Sequence, residues 1–307
     1  MTSQPAPPVP PEAAVHPLHR PVLEWYAAAA RDLPWRAPGV DGWGVLVSEV
    51  MLQQTPVVRV LPAWQAWMRR WPAPPDLAAD TPGAAVRAWD RLGYPRRALR
   101  LHAAATAVTE RHGGAVPDDL AALLALPGVG EYTAAAVAAF AFGRRHAVVD
   151  TNVRRVHARA VTGHAEAAPS LTAAERRTAE ALLPADEATA ARWSVAVMEL
   201  GALVCTARAP RCADCPVAAR CAWRAAGSPP SPHPPRRAQA WAGTDRQVRG
   251  RLMAVLREAD GPVAGPRLRQ AWDDAVQRDR CLDSLVADGL VEPLDDDLYR
   301  LPEVAPR

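Results

Sequence analysis

Every one of the 36 basic residues in this 307-residue chain is arginine; the sequence contains no lysine. That absence excludes chemistry that runs through a side-chain amine, a lysine Schiff base above all. Long apolar runs are missing too. The longest, AAAVAAFAF at 134–142, falls far short of the roughly 20 residues that a helix needs to cross a bilayer. Neither sign of charge dominates. The 36 basic and 33 acidic side chains leave a formal +3, so the totals announce no general affinity for polyanions. A secretory signal is absent as well, which at this length argues against a disulfide-stapled secreted domain and sets the expectation of a cytoplasmic protein. Finally, alternating apolar and polar residues of the kind that build half-buried strands are lacking before residue 228. The main domain, 18–227, is therefore expected to be all-α.

Punctuation supplies the organisation. Residues 1–17, MTSQPAPPVPPEAAVHP, are proline-rich and predict disorder, and SPPSPHPPR at 228–236 opens a stiff linker that runs to residue 245. Ten helical patterns lie between them, from LHRPVLEWYAAAARD to DEATAARWSVAVMELGALV. Beyond the linker, 246–303 offers three short helical patterns, then LVEPLDDDLYRLP, two short strands around an acidic turn. Three helices followed by a hairpin outline a small winged-helix-like (α+β) domain.

Four of the five cysteines, Cys205, Cys212, Cys215 and Cys221, form a C-x6-C-x2-C-x5-C run within one short segment. A site made of thiolates alone takes a four-iron four-sulfur (4Fe-4S) cluster or tetrahedral zinc. Zinc ribbons usually oppose two C-x2-C pairs across a longer loop. One pair with two unequal flanks favours iron–sulfur. The fifth, Cys281, reads as an ordinary buried thiol.

Three further features admit two readings each. In LALPGVGEYTAAAVAAFAF, Gly128 and Gly130 shape a tight turn that feeds a helix N-terminus; this is either a plain αα-hairpin or a backbone seat for DNA phosphate. Arg96, Arg97 and Arg100 before it and Arg144 and Arg145 after it favour the second. Asp150, in VDTNVRRV, is placed as a helix N-cap, worth about 1 kcal/mol, and the same geometry suits a carboxylate held ionised to face a cation, with Asn152 to orient it. Glu49, in the apolar stretch LVSEVMLQQT, is a surface residue by periodicity alone; facing a pocket, it would be a general acid with a raised pKa.

Together these residues resemble the endonuclease III superfamily of helix-hairpin-helix base-excision DNA glycosylases over about residues 20–225. Within it, LPWR at 33–36, SEVMLQQT at 48–55, RLGYPRR at 91–97, LPGVGEYTAAA at 126–136, VDTNVRRV at 149–156 and ELGALVC at 199–205 are most similar to the adenine-specific, MutY-type branch. The resemblance implies a six-helix lobe over about 38–148, a cluster lobe over about 18–37 and 149–227, and one 4Fe-4S cluster per chain on Cys205, Cys212, Cys215 and Cys221. It implies that Glu49 protonates the departing adenine, that Asp150 stabilises the oxocarbenium ion, and that Tyr132 and Asn152 order the site. Trp35 and Arg36 would line the base pocket, Gln54 and Tyr94 would fill or wedge the stack, Thr55 would meet the opposing purine, and Gly128 and Gly130 would grip the backbone.

Tyr132 also stands where the lyase branch carries its catalytic lysine, so the implied enzyme is monofunctional. The expected partner is duplex DNA with adenine opposite 8-oxoguanine or guanine, bound by a monomer at the nucleoid and not at a membrane. Two departures remain. Val195 stands where relatives often place Gln or Glu, and 246–303 is too short for a nudix-like reader of the damaged base, which leaves it a DNA-contacting or protein-docking role. A glycosylase for T:G or U:G mispairs and a non-catalytic iron–sulfur regulator are the alternatives.

Overall fold

The computed structural model describes residues 16–231 and 241–304. The disorder expected of the first residues and the middle of the stiff linker, 1–15 and 232–240, fall outside that range.

Helices carry the chain: α1 His19–Ala29, α2 Gly42–Leu52, α3 Val57–Arg70, α4 Pro74–Ala78, α5 Pro82–Trp89, α6 Arg96–Arg111, α7 Leu120–Leu124, α8 Glu131–Phe142, α9 Thr151–His157, α10 Ala173–Ala181, α11 Glu187–Leu203 and α12 Ala222–Ala225. The C-terminal region adds α13 Asp245–Glu258, β1 Val263–Ala264, α14 Gly265–Arg269, α15 Ala275–Ala287, β2 Glu292–Leu294 and β3 Leu298–Arg300. All-α up to the linker and α+β beyond it is the expected class. Several short pieces went unread in the sequence. PPDLA looks like loop, yet proline suits the first turn of α4 and Asp76 caps its start by accepting from the Ala73 N–H at 2.9 Å. The short α12 and β1 carry too few residues for any period to register, while the π-helical turn Ala158–Thr162 that follows α9 lies inside the helical pattern NVRRVHARAVTG.

Two compact units form. Of the described residues, the first comprises 16–45, 118–124 and 130–231. Its core packs Val22 and Leu23 of α1, Val153 and Val156 of α9, and Trp193, Val197 and Leu200 of α11. His19 is part of it, edge-on to Trp193 and hydrogen-bonded through Nε2 to the Leu182 carbonyl at 2.7 Å.

The second comprises 46–117, 125–129 and the C-terminal region. Trp67 anchors it, with Trp71 and Trp89 rings edge-on at 4.6 and 5.7 Å. The C-terminal sheet has the order β1-β3-β2, antiparallel throughout. The acidic turn Asp295–Asp297 closes β2 on β3, with Asp296 and Asp297 at positive φ, a conformation that aspartate tolerates better than most side chains.

This region is fastened to α5 and α6. The Gly83 N–H donates to the Pro302 carbonyl at 2.7 Å, Arg87 donates to the carbonyls of Arg257 and Ala259, and Arg257 donates back to the Val86 carbonyl at 3.1 Å. Asp288 pairs with Arg96 at 3.0 Å and with Arg249 at 2.5 Å. A Cβ on Gly83 would lie 2.7 Å from the Pro302 oxygen. Gly83→Ala should therefore loosen the C-terminal strand and lower stability by about 1–3 kcal/mol, as overpacking does. Denaturant unfolding and limited proteolysis at 290–304 check this; wild-type values in both would show that the contact holds nothing.

Candidate active site

Asp150 caps α9. Its Oδ1 accepts from the Val153 N–H at 2.7 Å and its Oδ2 from Asn152 Nδ2 at 2.7 Å. Burial pushes the carboxyl pKa up; the Val153 N–H, the Asn152 amide and the nearby Arg155 guanidinium pull the other way. The result is a carboxylate whose negative charge is confined, poorly hydrated and aimed by two fixed donors. The N-cap reading of Asp150 holds, and the capping bond is also what orients its carboxylate.

Behind Asn152 stands a residue that carries no mark in the sequence. Arg155 donates from Nη2 to Asn152 Oδ1 at 2.7 Å and to the Gly201 carbonyl at 2.7 Å, and from Nε to the Cys205 carbonyl at 2.7 Å. Asn152 can approach α11 this closely only because Gly201 lacks a side chain: a Cβ there would sit 2.7 Å from Asn152 Cβ and 2.8 Å from its carbonyl oxygen. A continuous path of hydrogen bonds therefore runs from the start of the cysteine segment to Asp150. Only a helix register placing Arg155 one turn beyond Asp150 could have signalled it, and Arg154 beside it is equally basic. Arg154 instead pairs with Glu175 at 2.9 Å.

Trp35 and Arg36 lie in a 3-10 turn at Pro34–Arg36, and Trp35 is buried. Arg36 donates to Glu199 Oε2 at 3.0 Å, and Arg31 grips both oxygens of the same carboxylate at 2.7 Å. Burial of Glu199 opposes its charge, but the two guanidiniums more than offset that and hold its pKa at about 2. Arg36 Nη1 is buried with no partner. Tyr132, at the start of α8, packs on the Ala135–Ala139 cluster, and Val195 is half-buried on α11. Gly130 is the N-cap of α8, and a Cβ added there would meet nothing within 4 Å. Arg144 and Arg145 are engaged elsewhere, with Asp118 and Glu187 and with Glu180 and the Pro184 carbonyl.

The four cysteines of the run are reduced and half-buried. Among the described residues no three His, Cys, Asp or Glu side chains close into a preformed metal group. The donors nonetheless converge. Burial, then the charges of Cys205, Cys221 and Cys212, push the Cys215 thiol up to about 11. Bound cationic metal would reverse that penalty. Arg159, buried, donates to Cys205 Sγ at 3.5 Å and to the Thr206 carbonyl at 2.7 Å, which sets a positive charge at the edge of the group. The residue set fits a thiolate-bound cluster.

The second unit holds the remaining candidates. Glu49 is only 5% exposed, on a helix buried along Gly42–Met51. The surface reading that periodicity favoured for it is overturned: α2 is apolar on all faces, so no period marks an inward side. Gln54 and Tyr94 lie on two loops, each at positive φ (55° and 48°), and both are exposed. The Arg97 guanidinium ties these loops together. Its Nη1 donates to the carbonyls of Val50, Met51 and Gln53, and its Nη2 to Thr55 Oγ1 and the Gly93 carbonyl, all between 2.7 and 3.1 Å.

Arg97 is 6% exposed, and burial lowers its pKa to about 10. It does not join a phosphate-facing cluster, as its sequence neighbours suggested. Thr55 is buried as well, its hydroxyl shared between Arg97 and the Gln53 and Leu92 carbonyls. Gly128, at φ 75°, lies against Arg100, whose Cβ a side chain there would meet at 2.6 Å.

The Asp150 arrangement generates a direct test. Asn152→Ala removes a donor that favours the ionised carboxyl, so the Asp150 pKa should rise further. Carboxyl carbon NMR followed through a pH titration reads this; an unmoved titration would show that Asn152 does not govern that charge.

Similar proteins identify the family. Residues 47–182 match the model of the HhH-GPD superfamily base excision DNA repair proteins. An adenine DNA glycosylase of Mycobacterium tuberculosis is 56% identical over 282 residues, 92% of this chain and 92% of that one. One from Mycolicibacterium smegmatis is 53% identical over 281 residues, 91% of this chain and 94% of the other. Among solved structures, a thermostable thymine-DNA glycosylase superposes with a TM-score of 0.61 at 28% identity, covering 68% of this chain and 95% of its own. With a helix-hairpin-helix fold, a capped aspartate and relatives of this closeness along nearly its whole length, the chain belongs to the adenine DNA glycosylases of the HhH-GPD base-excision repair superfamily.

Proposed function

We propose that the protein removes adenine mispaired with 8-oxoguanine or guanine from duplex DNA, cutting the N-glycosidic bond by hydrolysis and leaving the strand intact. The observation that carries the chemistry is the Asp150 carboxylate, poorly hydrated and aimed by Val153 N–H and Asn152. Negative charge confined in this way stabilises a sugar that becomes an oxocarbenium ion as its base departs. Glu49, buried on an apolar helix, suits the complementary role of donating a proton to the purine ring, so that adenine leaves neutral. Water completes the reaction at the anomeric carbon. Without any lysine the chain has no side-chain amine to capture the sugar, which supports a monofunctional reaction. Tyr132 and Asn152 order the site. Trp35 and Arg36 would face the base, with the unpartnered Arg36 Nη1 a donor ready for it.

Gly130, with no side chain to block approach, would let a phosphate near the N-terminus of α8, and Gly128 lets the preceding turn pass Arg100. Gln54, Tyr94 and Thr55 form the loops that meet the stack. Cys205, Cys212, Cys215 and Cys221 would hold one 4Fe-4S cluster, whose contribution is to fix the fold of 205–221. Domain 18–227 performs the chemistry, 228–245 links it to 246–303, and the protein works as a monomer in the cytoplasm, at the nucleoid.

Glu49→Gln should keep DNA binding while base release falls by at least about 100-fold, the usual scale of general acid catalysis. Single-turnover release from A:8-oxoG, A:G, A:C, T:G and U:G duplexes checks both enzyme and target. Release of thymine or uracil in place of adenine would move the target, and wild-type turnover in Glu49→Gln would remove the acid. Metal analysis of anaerobically purified protein should find about four irons per chain, as a cubane cluster demands. Stoichiometric zinc without iron would overturn the cluster assignment.

A further inference from the structure

Arg267, Arg269, Arg278 and Arg280 carry the positive charge of α14 and α15 in the C-terminal region. The structure engages most of that charge internally. Arg269 pairs with Asp297 at 2.9 Å, Arg280 with Asp245 at 2.7 Å, and Arg278, buried, with Asp279 and the carbonyls of Arg269 and Trp272. Arg246, on the first turn of α13, is different. It is exposed, and among the described residues it forms no ion pair. Its guanidinium lies 5.3 Å from the Tyr94 ring and 5.3 Å from the Trp241 ring.

Both rings are large aromatics left half in water, Tyr94 at 50% and Trp241 at 52% exposure. Tyr94 is held there at some cost, at positive φ, on the loop that Arg97 fixes through Gly93. The Arg97 guanidinium itself comes within 5.7 Å of the Tyr94 ring. The bonds of Gly83, Arg87, Arg96 and Arg257 described above fasten α13 and its neighbours beside this loop. The aromatic pair and the cation are therefore parts of one body, not of a loose module.

We propose that Tyr94, Arg246 and Trp241 form a clamp for DNA, in which an unstacked nucleobase lies on the aromatic faces and the unpaired guanidinium takes the phosphate beside it. Exposed rings spaced by a cation suit that occupant on two counts. Every base has a π-face to stack, and each phosphate neutralised releases counterions. An apolar protein partner would use the rings but leave the charge unanswered. The inference rests on the DNA reading given above. It makes 246–303 a working part of lesion recognition through its first turn, not through its helix-turn-helix face.

The test uses full-length protein and a duplex with 2′-fluoro-deoxyadenosine opposite 8-oxoguanine, whose base is not released. Dissociation constants are measured across a salt series for wild type, Trp241→Ala, Trp241→Phe, Arg246→Ala and Arg246→Lys, with thermal melts to show that each is folded. Trp241→Ala and Arg246→Ala should each weaken binding roughly ten-fold, within the range of one lost base stack. Trp241→Phe should recover most of that loss. Arg246→Ala should also reduce the slope of log K against log salt by about one phosphate's worth, and Arg246→Lys should restore the slope but not the full affinity. Unchanged affinity and slope in both alanine variants would overturn the clamp and leave the patch to a protein partner. Weakening by Arg246→Ala alone, with Trp241→Ala binding as wild type, would overturn the stacked base. Wild-type adenine release from the unmodified duplex, run in parallel, reports separately on the functional reading.

Discussion

Guanidinium groups buried against main-chain carbonyls hold this protein's working parts in place. Arg97 stitches the loops at 53–55 and 92–93, Arg155 joins Asn152 to Gly201 and Cys205, and Arg159 joins the π-helical turn to Cys205–Ala207. The arrangement follows from what a planar, permanently charged fork can do. It reaches several acceptors at fixed angles and keeps its proton even when desolvation lowers its pKa. An ammonium could not serve as well, because burial at this depth shifts it toward the neutral form. A chain that has only arginine for its positive charges turns that residue into internal scaffolding as much as surface charge.

Two carboxylates show how differently the same chemistry can be housed. Glu199 is surrounded by cations and pinned ionised, so it can organise Arg31 and Arg36 but has no proton to give near neutral pH. Asp150 has two neutral donors and more distant positive charge, and burial dominates its balance. The first is architecture. The second keeps its field largely uncancelled, which is what the role proposed for it above requires.

Much of the fold was legible because alanine- and leucine-rich helical periods continue for two turns or more. Among the shorter pieces, α4, α12 and β1 carry no period to read. The two acidic candidates divide along the same line. Asp150 announced itself through its place before NVRRV, a local signal. Glu49 did not, because a helix buried on every side gives its one carboxylate no distinguishing face. What sequence could not supply was pairing at a distance: Arg31 with Glu199, Arg97 with two loops, Arg155 with Gly201. Each bonds residues tens of positions away, and each arginine looks in the sequence like any other. Thr55 and Arg97, which motif context draws toward DNA, also place a hydroxyl and the terminal guanidinium nitrogens inside the loops they build.

Gln54 and Tyr94 are held in left-handed backbone geometry, which costs a non-glycine residue about 1–2 kcal/mol each. That strain is offset during folding by the Arg97 network, so none of it is added when DNA arrives. In the role proposed above, meeting the stack of a very large excess of undamaged base pairs, such pre-set side chains would be an advantage. Their shape would be the same at each step along the duplex, and the dwell time at an undamaged pair would not include ordering a loop. The limit on searching would then lie in diffusion along the double helix and in how readily each base step opens to a rigid intruder.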